Sequence, residues 1–328
     1  MMDRDRIEAV VRPVAAGLVV LVTLLLVVGA AIRAPRPHDI PVGVSGPPAA
    51  IDPIVAGLGQ NVPGAFAFTT YGSEAEALAA IADRNVVGAL IVSQAGPRLV
   101  VAGGAGDAVT GAVSGAFSGA FAAQGVELTI ETVNPLPAGD AHGIVLFFLV
   151  LATAIGSIVA GAATTIGRRE RGWVGHGLVL SSYAVVAGIV GVGTAAWLAD
   201  GYGDGVWAAM AIAILLALAV SLIVAAAARW LGAAGVVLAA AVVVLLGLVS
   251  SGGPLGSAFL PDAYRAIAPW LPVGPSFDAM RGALAFEGAG LLAPVAVLIG
   301  WAAIGLIGLA AADLSRRVAV ERPRVAVA

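Results

Sequence analysis

The sequence predicts an α-helical polytopic membrane protein with six transmembrane helices and a small α/β extracytoplasmic domain between helices 1 and 2. Hydrophobic residues make up 60% of the chain and charged residues only 11%, with a mean hydropathy of +1.00. A soluble domain carries about 25% charged residues. One apolar run opens the chain, and a dense block of such runs fills residues 143–312. The mixed residues between them have the length of one small domain.

Six apolar runs reach the roughly 20 residues that a helix needs to cross a bilayer. Because they hold almost only Ala, Val, Leu, Ile and Gly, their backbone groups must be satisfied within helices. The first run exceeds the usual length of about 7–15 residues in a signal peptide, which favours an uncleaved anchor. The predicted spans are 13–32, 143–166, 174–199, 206–228, 231–249 and 291–312.

The placement of arginine predicts the orientation of these spans, since basic residues concentrate in cytoplasmic loops. Arg33 and Arg36 fall on the opposite side from most other arginines and are outnumbered. The arginines that share a side with both termini are Arg4, Arg6, Arg12, Arg168, Arg169, Arg171, Arg229, Arg316, Arg317, Arg322 and Arg324. We therefore expect a plasma-membrane protein with cytoplasmic segments 1–12 and 313–328 and an extracytoplasmic domain at 34–142.

Strand-like and helix-like segments alternate through residues 34–142, which predicts a small α/β domain. Ser73 and Glu76 fit a capping box, in which each side chain satisfies a free amide at the start of a helix. The strand at 99–102 is expected to pair with the strand before it. Strands are predicted at 40–44, 65–70, 86–92, 99–102 and 126–133, and helices at 49–60, 73–85 and 105–124.

The connection 250–290 is long and apolar, yet it is interrupted by five prolines. Two amphipathic pieces are predicted at 261–270 and 275–286, with Trp270 and Phe286 as interfacial anchors. Such a segment is expected to lie on, or dip into, the outer leaflet; an ordinary surface loop is the alternative. Its charged residues Asp262, Arg265, Asp278 and Arg281 are candidates for lining an outer gate or for contacting exported material; the alternative is that they only solvate an amphipathic face.

Two stretches of sequence resemble the ABC-2 type transporter permeases. One is S-G-G-P-L-G-S-A-F-L-P-D…I-A-P-W-L-P-V-G-P-S-F-D-A-M-R-G, between residues 251 and 282, which is similar to the segment before the last span of that family. The other is E-A-E-A-L-A-A-I-A-D-R-N-V-V-G-A-L-I-V-S at 74–93, which is similar to its long extracytoplasmic insert. Ser93 stands where the family often has proline. Members of the family with that insert share the layout predicted here, which is one span, a large outer domain and five further spans. The YhgE/Pip-type membrane proteins, a related branch, have much the same layout.

The resemblance implies a permease subunit, a homodimer or heterodimer in the bilayer, that works with a separate cytoplasmic P-loop ATPase. By position, the N-terminal segment 3–12 and the loop 167–173 would contact that ATPase. The docking candidates in the loop are Arg168, Arg169, Glu170 and Arg171. The competing interpretation is that these arginines only set the membrane orientation.

Composition excludes several kinds of catalytic and binding site. The chain has no cysteine, so thiol nucleophiles, disulfides and Cys-ligated metals are excluded. It also has no lysine, so it lacks the P-loop motif of an ATPase. His38, His142 and His176 occur without a metal-binding motif. We predict no enzyme activity, no cofactor, no metal and no nucleic-acid partner.

Two functions remain open on the sequence alone. The first is the permease subunit of an exporter that moves a lipophilic or amphipathic substrate outward by ATP hydrolysis on a partner. The second is a YhgE/Pip-like anchored scaffold, whose extracytoplasmic domain binds a ligand or an envelope component without an ATPase. Small-residue motifs around Gly188 and Gly191 indicate close helix packing or dimerisation in either case.

Overall fold

The computed structural model describes residues 4–166 and 172–321. Within those ranges, five helices are long and apolar enough to cross a membrane. They are α5 (Ile144–Ile166), α6 (Trp173–Leu198), α7 (Val206–Leu231), the combined helix α8–α9 (Ala233–Ala240 and Gly247–Ser250, joined by a π-helical stretch at Ala241–Leu246) and α12 (Leu292–Glu321). A further helix, α1 (Arg4–Ile32), precedes them, and its apolar part is the shorter run Gly17–Ile32.

These five helices coincide with five of the six predicted spans, and most of their ends agree within a few residues. The exception is the C-terminal end of α12, which runs on to Glu321 although the apolar run was predicted to end at residue 312. The extension is anchored by an ion pair between Asp313 and Arg229 at the end of α7. The indole of Trp230 also donates to the carbonyl oxygen of Gly308, at 3.0 Å.

The helix α7 lies at the centre of the bundle and is the most buried of the five. It packs against α5, α6 and α12, and each of these helices presents a glycine to it. A Cβ atom at Gly161, Gly188 or Gly305 would lie only 2.4–2.7 Å from atoms of α7. These glycines allow the helix axes to approach closely, so the motif at Gly188 serves packing within the chain.

Exposed tryptophans mark both ends of the bundle. Trp197 and Trp207, at the end of α6 and the start of α7, are 78% and 73% exposed. Trp173 and Trp230 are exposed at the opposite ends of the same two helices. At a rise of 1.5 Å per residue, Trp173 and Trp197 lie about 36 Å apart. Since tryptophan prefers the two membrane interfaces around a core of about 30 Å, the spacing suits a transmembrane bundle.

The α/β domain is a five-stranded mixed sheet with strand order β2-β1-β3-β4-β5. Its strands are β1 (Ile40–Ser45), β2 (Phe66–Thr70), β3 (Gly88–Ser93), β4 (Gly96–Ala102) and β5 (Thr129–Val133). Only β3 and β4 pair antiparallel, as a hairpin, and the other neighbours are parallel. Three helices, α2 (Pro48–Asn61), α3 (Glu74–Ala82) and α4 (Asp107–Ala122), connect the parallel strands. Every predicted strand and helix of this domain is present.

Two faces of the sheet are covered by different helices. Buried residues of α2 and α4, among them Phe117, pack against one face. Residues of α3, among them Ile81, pack against the other. The start of α3 follows the capping prediction in part, since the hydroxyl of Ser73 accepts from the Glu76 amide at 3.2 Å. The Glu76 carboxylate accepts from the amide of Gly72, one residue earlier than expected.

Candidate functional site

The segment between α9 and α12 connects the bundle to the α/β domain. It contains the short helix α10 (Asp262–Ile267) and the longer helix α11 (Val273–Ala285), with three 3-10 turns at Gly253–Leu255, Ser257–Phe259 and Ala268–Trp270. Proline stands at the start of α10 and of α11, where a missing amide costs no helical hydrogen bond. The two helices agree with the two predicted amphipathic pieces. The prediction placed them at the outer leaflet, whereas α11 packs against the α/β domain.

Phe286, which follows α11, is part of the core of the α/β domain. It is 5% exposed and packs with residues of α3, β3 and β4. The prediction of an interfacial anchor at Phe286 is therefore wrong. The reason is that the ring packs into the core of the neighbouring domain, where a side chain without a polar group gains free energy from burial.

An ion pair holds the same two elements together beside Phe286. Arg84, which follows α3, pairs with the carboxylate of Asp278 on α11. The Arg84 guanidinium also donates to the carbonyl oxygens of Asp278 and Ala289, both at 3.3 Å, and lies 5.2 Å from the centre of the Phe286 ring. One arginine thus contacts α11 and the turn behind it at once.

The turn Gly103–Ala105 fits closely against α11. A Cβ atom at Gly104 would lie 2.5 Å from the Cβ of Ala285 and 2.6 Å from the Phe286 ring. On the far side of the turn, the Asn134 amide donates to the carbonyl oxygen of Ala285 at 3.1 Å. We call these contacts of Arg84, Gly104 and Asn134 with residues 278–289 the junction.

Arg281 is buried beneath the junction, which contradicts the alternative of a solvated helix face for this residue; its role in a gate stays a prediction. It is 8% exposed. Its guanidinium donates to the carbonyl oxygen of Ala105 at 3.2 Å and lies over the Phe277 ring, 4.3 Å from the ring centre. Burial lowers its pKa to about 10, and Asp278 offsets only part of that effect. At neutral pH the group keeps its charge.

The two candidates on α10 lie apart from that cluster. Arg265 pairs with Asp262 in its own helix at 3.0 Å and with Asp39, just before β1, at 3.1 Å. The backbone amide of His38 adds a hydrogen bond to the carbonyl oxygen of Ala258 at 2.9 Å. The structure therefore divides the four predicted gate residues into two pairs, one at each of two contacts with the α/β domain.

Two cavities meet at Arg281. The junction cavity, of about 190 Å³, lies between the sheet and α11, and Arg84, Asp278 and Arg281 line it. The α11–α12 cavity, of about 690 Å³, is largely apolar and is lined by Phe277, Trp270 and Val297 among others. Arg281 and Asp278 border both spaces. Sequence reasoning missed the cavities, because they are formed by elements distant in the chain.

The docking candidates Arg168, Arg169, Glu170 and Arg171 lie outside the described residues, as does most of the segment 167–173. Their neighbours are held together, however. His176, near the start of α6, is buried, and its two ring nitrogens lie 3.2 Å from the carbonyl oxygens of Gly172 and Thr164. This contact ties the end of α5 to the start of α6 on both sides of the loop.

No family model, curated protein or solved structure matches this chain. A function for this chain is therefore a proposal that rests on its fold, on the contacts at the junction and on the resemblance of two short stretches of its sequence. The described chain is a predominantly helical protein that has five helices of membrane-spanning character and a small α/β domain docked on one end of them.

Proposed function

We propose that this chain is the transmembrane permease subunit of an ABC-2 type exporter. It would move a lipophilic or amphipathic substrate outward, using ATP hydrolysis on a separate P-loop ATPase. The observation that supports this proposal best is the junction, in which the α/β domain is packed onto α11 beside a cavity of about 690 Å³ at one end of the bundle.

The junction favours transport over an anchored scaffold for a mechanical reason. A scaffold domain needs only a tether to the membrane, and relative motion between domain and anchor is then the default. Here the Phe286 ring is inserted into the domain core, and Arg84 and Asp278 fix the same contact. A movement of α11 would therefore carry the α/β domain with it, as alternating access by rigid bodies requires.

The proposed topology has six spans, with α1 as the first, both termini in the cytoplasm and the α/β domain outside the plasma membrane. The apolar run 13–32 within α1 has 20 residues, which at about 1.5 Å per residue measure about 30 Å, the thickness of the hydrocarbon core of a bilayer. Most apolar side chains of α1 that the structure describes are exposed, as lipid contact requires. The hydroxyl of Tyr264 holds this helix by donating to the carbonyl oxygen of Val27 at 2.8 Å.

The partner proposals come from the family resemblance. The ATPase would dock on the loop with Arg168, Arg169, Glu170 and Arg171 and on the N-terminal segment. The permease would form a homodimer or heterodimer. The contacts of His176 with Gly172 and Thr164 support the proposal that the ATPase docks on this loop. They hold the end of α5 against the start of α6, so a movement of the docked ATPase would be transmitted to the bundle.

A pull-down from native membranes in mild detergent, followed by mass spectrometry, tests the proposal. We expect a near-stoichiometric P-loop ATPase with the unaltered chain, and its loss when Arg168, Arg169 and Arg171 are all changed to Ala. The variant Arg98→Ala is the control, since Arg98 pairs with Glu74 and Glu131 inside the α/β domain. Recovery of an envelope protein through residues 34–142, with no ATPase, would favour the scaffold instead.

A further inference from the structure

We infer that the α11–α12 cavity binds an anionic amphiphile, with its acidic head group at Arg281 and its hydrocarbon chain along the apolar walls. The inference rests on the proposed function, because it names the class of substrate that the permease would take. Binding itself needs only the purified chain, so it is testable without the ATPase.

The walls of the cavity suit a hydrocarbon chain. A volume of about 690 Å³ falls within the range of small-molecule sites, roughly 300–1,000 Å³. Phe277, Pro294 and Val297 contribute to the lining, and Trp270 stands at its edge, 70% exposed. The indole of Trp301 donates to the carbonyl oxygen of Trp270 at 2.7 Å and fixes that corner. Exposed tryptophan is typical of the membrane interface, so the position of Trp270 suits the entry of an amphiphile from that depth.

Arg281 provides a cation at the end of this apolar space. Its Nε atom is buried and has no hydrogen-bond partner among the described residues. A buried donor of this kind costs free energy unless a partner satisfies it. Guanidinium groups pair with carboxylates and phosphates through two parallel hydrogen bonds, so an acidic head group is the partner that fits the vacant donor.

The carboxylates around Arg281 are committed to other groups. Asp278 borders the same cavity, but its carboxylate pairs with Arg84. Asp107 contacts His142. Asp140 accepts from the amides of Val145 and Leu146 and caps the start of α5. Within the described part of the chain, no carboxylate is in ion-pair contact with Arg281 itself. The Arg281 guanidinium therefore has no direct counter-ion among the described residues, and an acidic head group from outside the protein would supply one.

The test measures binding of dodecyl phosphate to the purified chain in a neutral detergent, by native mass spectrometry. Dodecyl glycerol, with the same hydrocarbon chain and no charge, and inorganic phosphate, with the charge and no chain, are the matched probes. We expect saturable binding of dodecyl phosphate, at least tenfold tighter than either. Arg281→Gln should weaken it tenfold or more, and Arg281→Lys by less. Arg265→Gln is the control, since Arg265 does not line this cavity.

A second variant keeps the test decisive if Arg281→Gln fails to fold. Ala296, an exposed residue of α12, lines this cavity and not the junction cavity, so Ala296→Trp should occupy the α11–α12 space. It should abolish dodecyl phosphate binding and leave the melting temperature unchanged. Equal binding of the charged and neutral amphiphiles, or undiminished binding in Ala296→Trp, would overturn the inference. Either result would leave the ATPase pull-down, and with it the proposed function, unaffected.

Discussion

At the scale of the residue, Gly104 controls how closely the α/β domain approaches α11. Its missing side chain leaves room for Ala285 and Phe286, so Gly104→Ala should force them apart and destabilise the protein by about 1–3 kcal/mol. Gly111→Ala is the matched control, because Gly111 lies on α4 with open space around it. That change should stabilise by about 0.5–1 kcal/mol. Thermal unfolding in detergent, followed by circular dichroism, measures both; equal shifts would contradict this role for Gly104.

The sequence was least informative about the surroundings of individual side chains. The amphipathic pattern of α11 correctly predicts a helix, but the same pattern suits a membrane surface and a domain contact equally well. The burial of Phe286 and Arg281 depends on α3 and on the turn Gly103–Ala105, which lie about 200 and 180 residues away along the chain. No local periodicity reports such a long-range contact.

At the scale of the element, the packing of α7 depends on the glycines of its neighbours. Gly305 on α12 lies against the backbone of Leu222 and Ile223, and a Cβ atom there would be 2.7 Å from that backbone. Gly305→Ala should separate the two helices and cost about 1–3 kcal/mol. Gly300→Ala, in the same helix but with open space around it, should be neutral or stabilising. If the two variants melt at the same temperature in detergent, close packing at Gly305 is not what holds α12.

The elements themselves were highly predictable, for two physical reasons. In the bundle, every backbone group must be paired inside its own helix, so an apolar run of sufficient length reports a helix directly. In the α/β domain, turn residues and helix-capping residues such as Ser73 separate the short runs of β-branched residues, so the boundaries of the strands and helices can be recognised in the sequence. The end of α12 was placed too early, because hydropathy falls at Asp313 although the helix continues through its ion pair with Arg229.

At the scale of the whole molecule, the α/β domain and the far end of α12 should lie on opposite sides of the membrane. The chain has no cysteine, so single cysteines report location without background. Ser93→Cys, in the β3–β4 hairpin, should react with a membrane-impermeant maleimide in intact cells. Ser315→Cys should react only after the cells are permeabilised. Both positions are exposed, so the reverse labelling pattern would invert the proposed topology.

The most direct measurement concerns the central claim, that the α/β domain and α11 form one unit. The variant Arg84→Cys/Asp278→Cys, treated with a short bifunctional thiol reagent in membranes, should give a high yield of the intramolecular cross-link in peptide mass spectrometry. Glu74→Cys/Asp278→Cys is the control, since Glu74 begins α3 about 12 Å from its other end. A high yield for the first pair and a low yield for the second would establish the docked domain. Similar yields for both pairs would show a domain that moves freely on its tether, and would contradict the account.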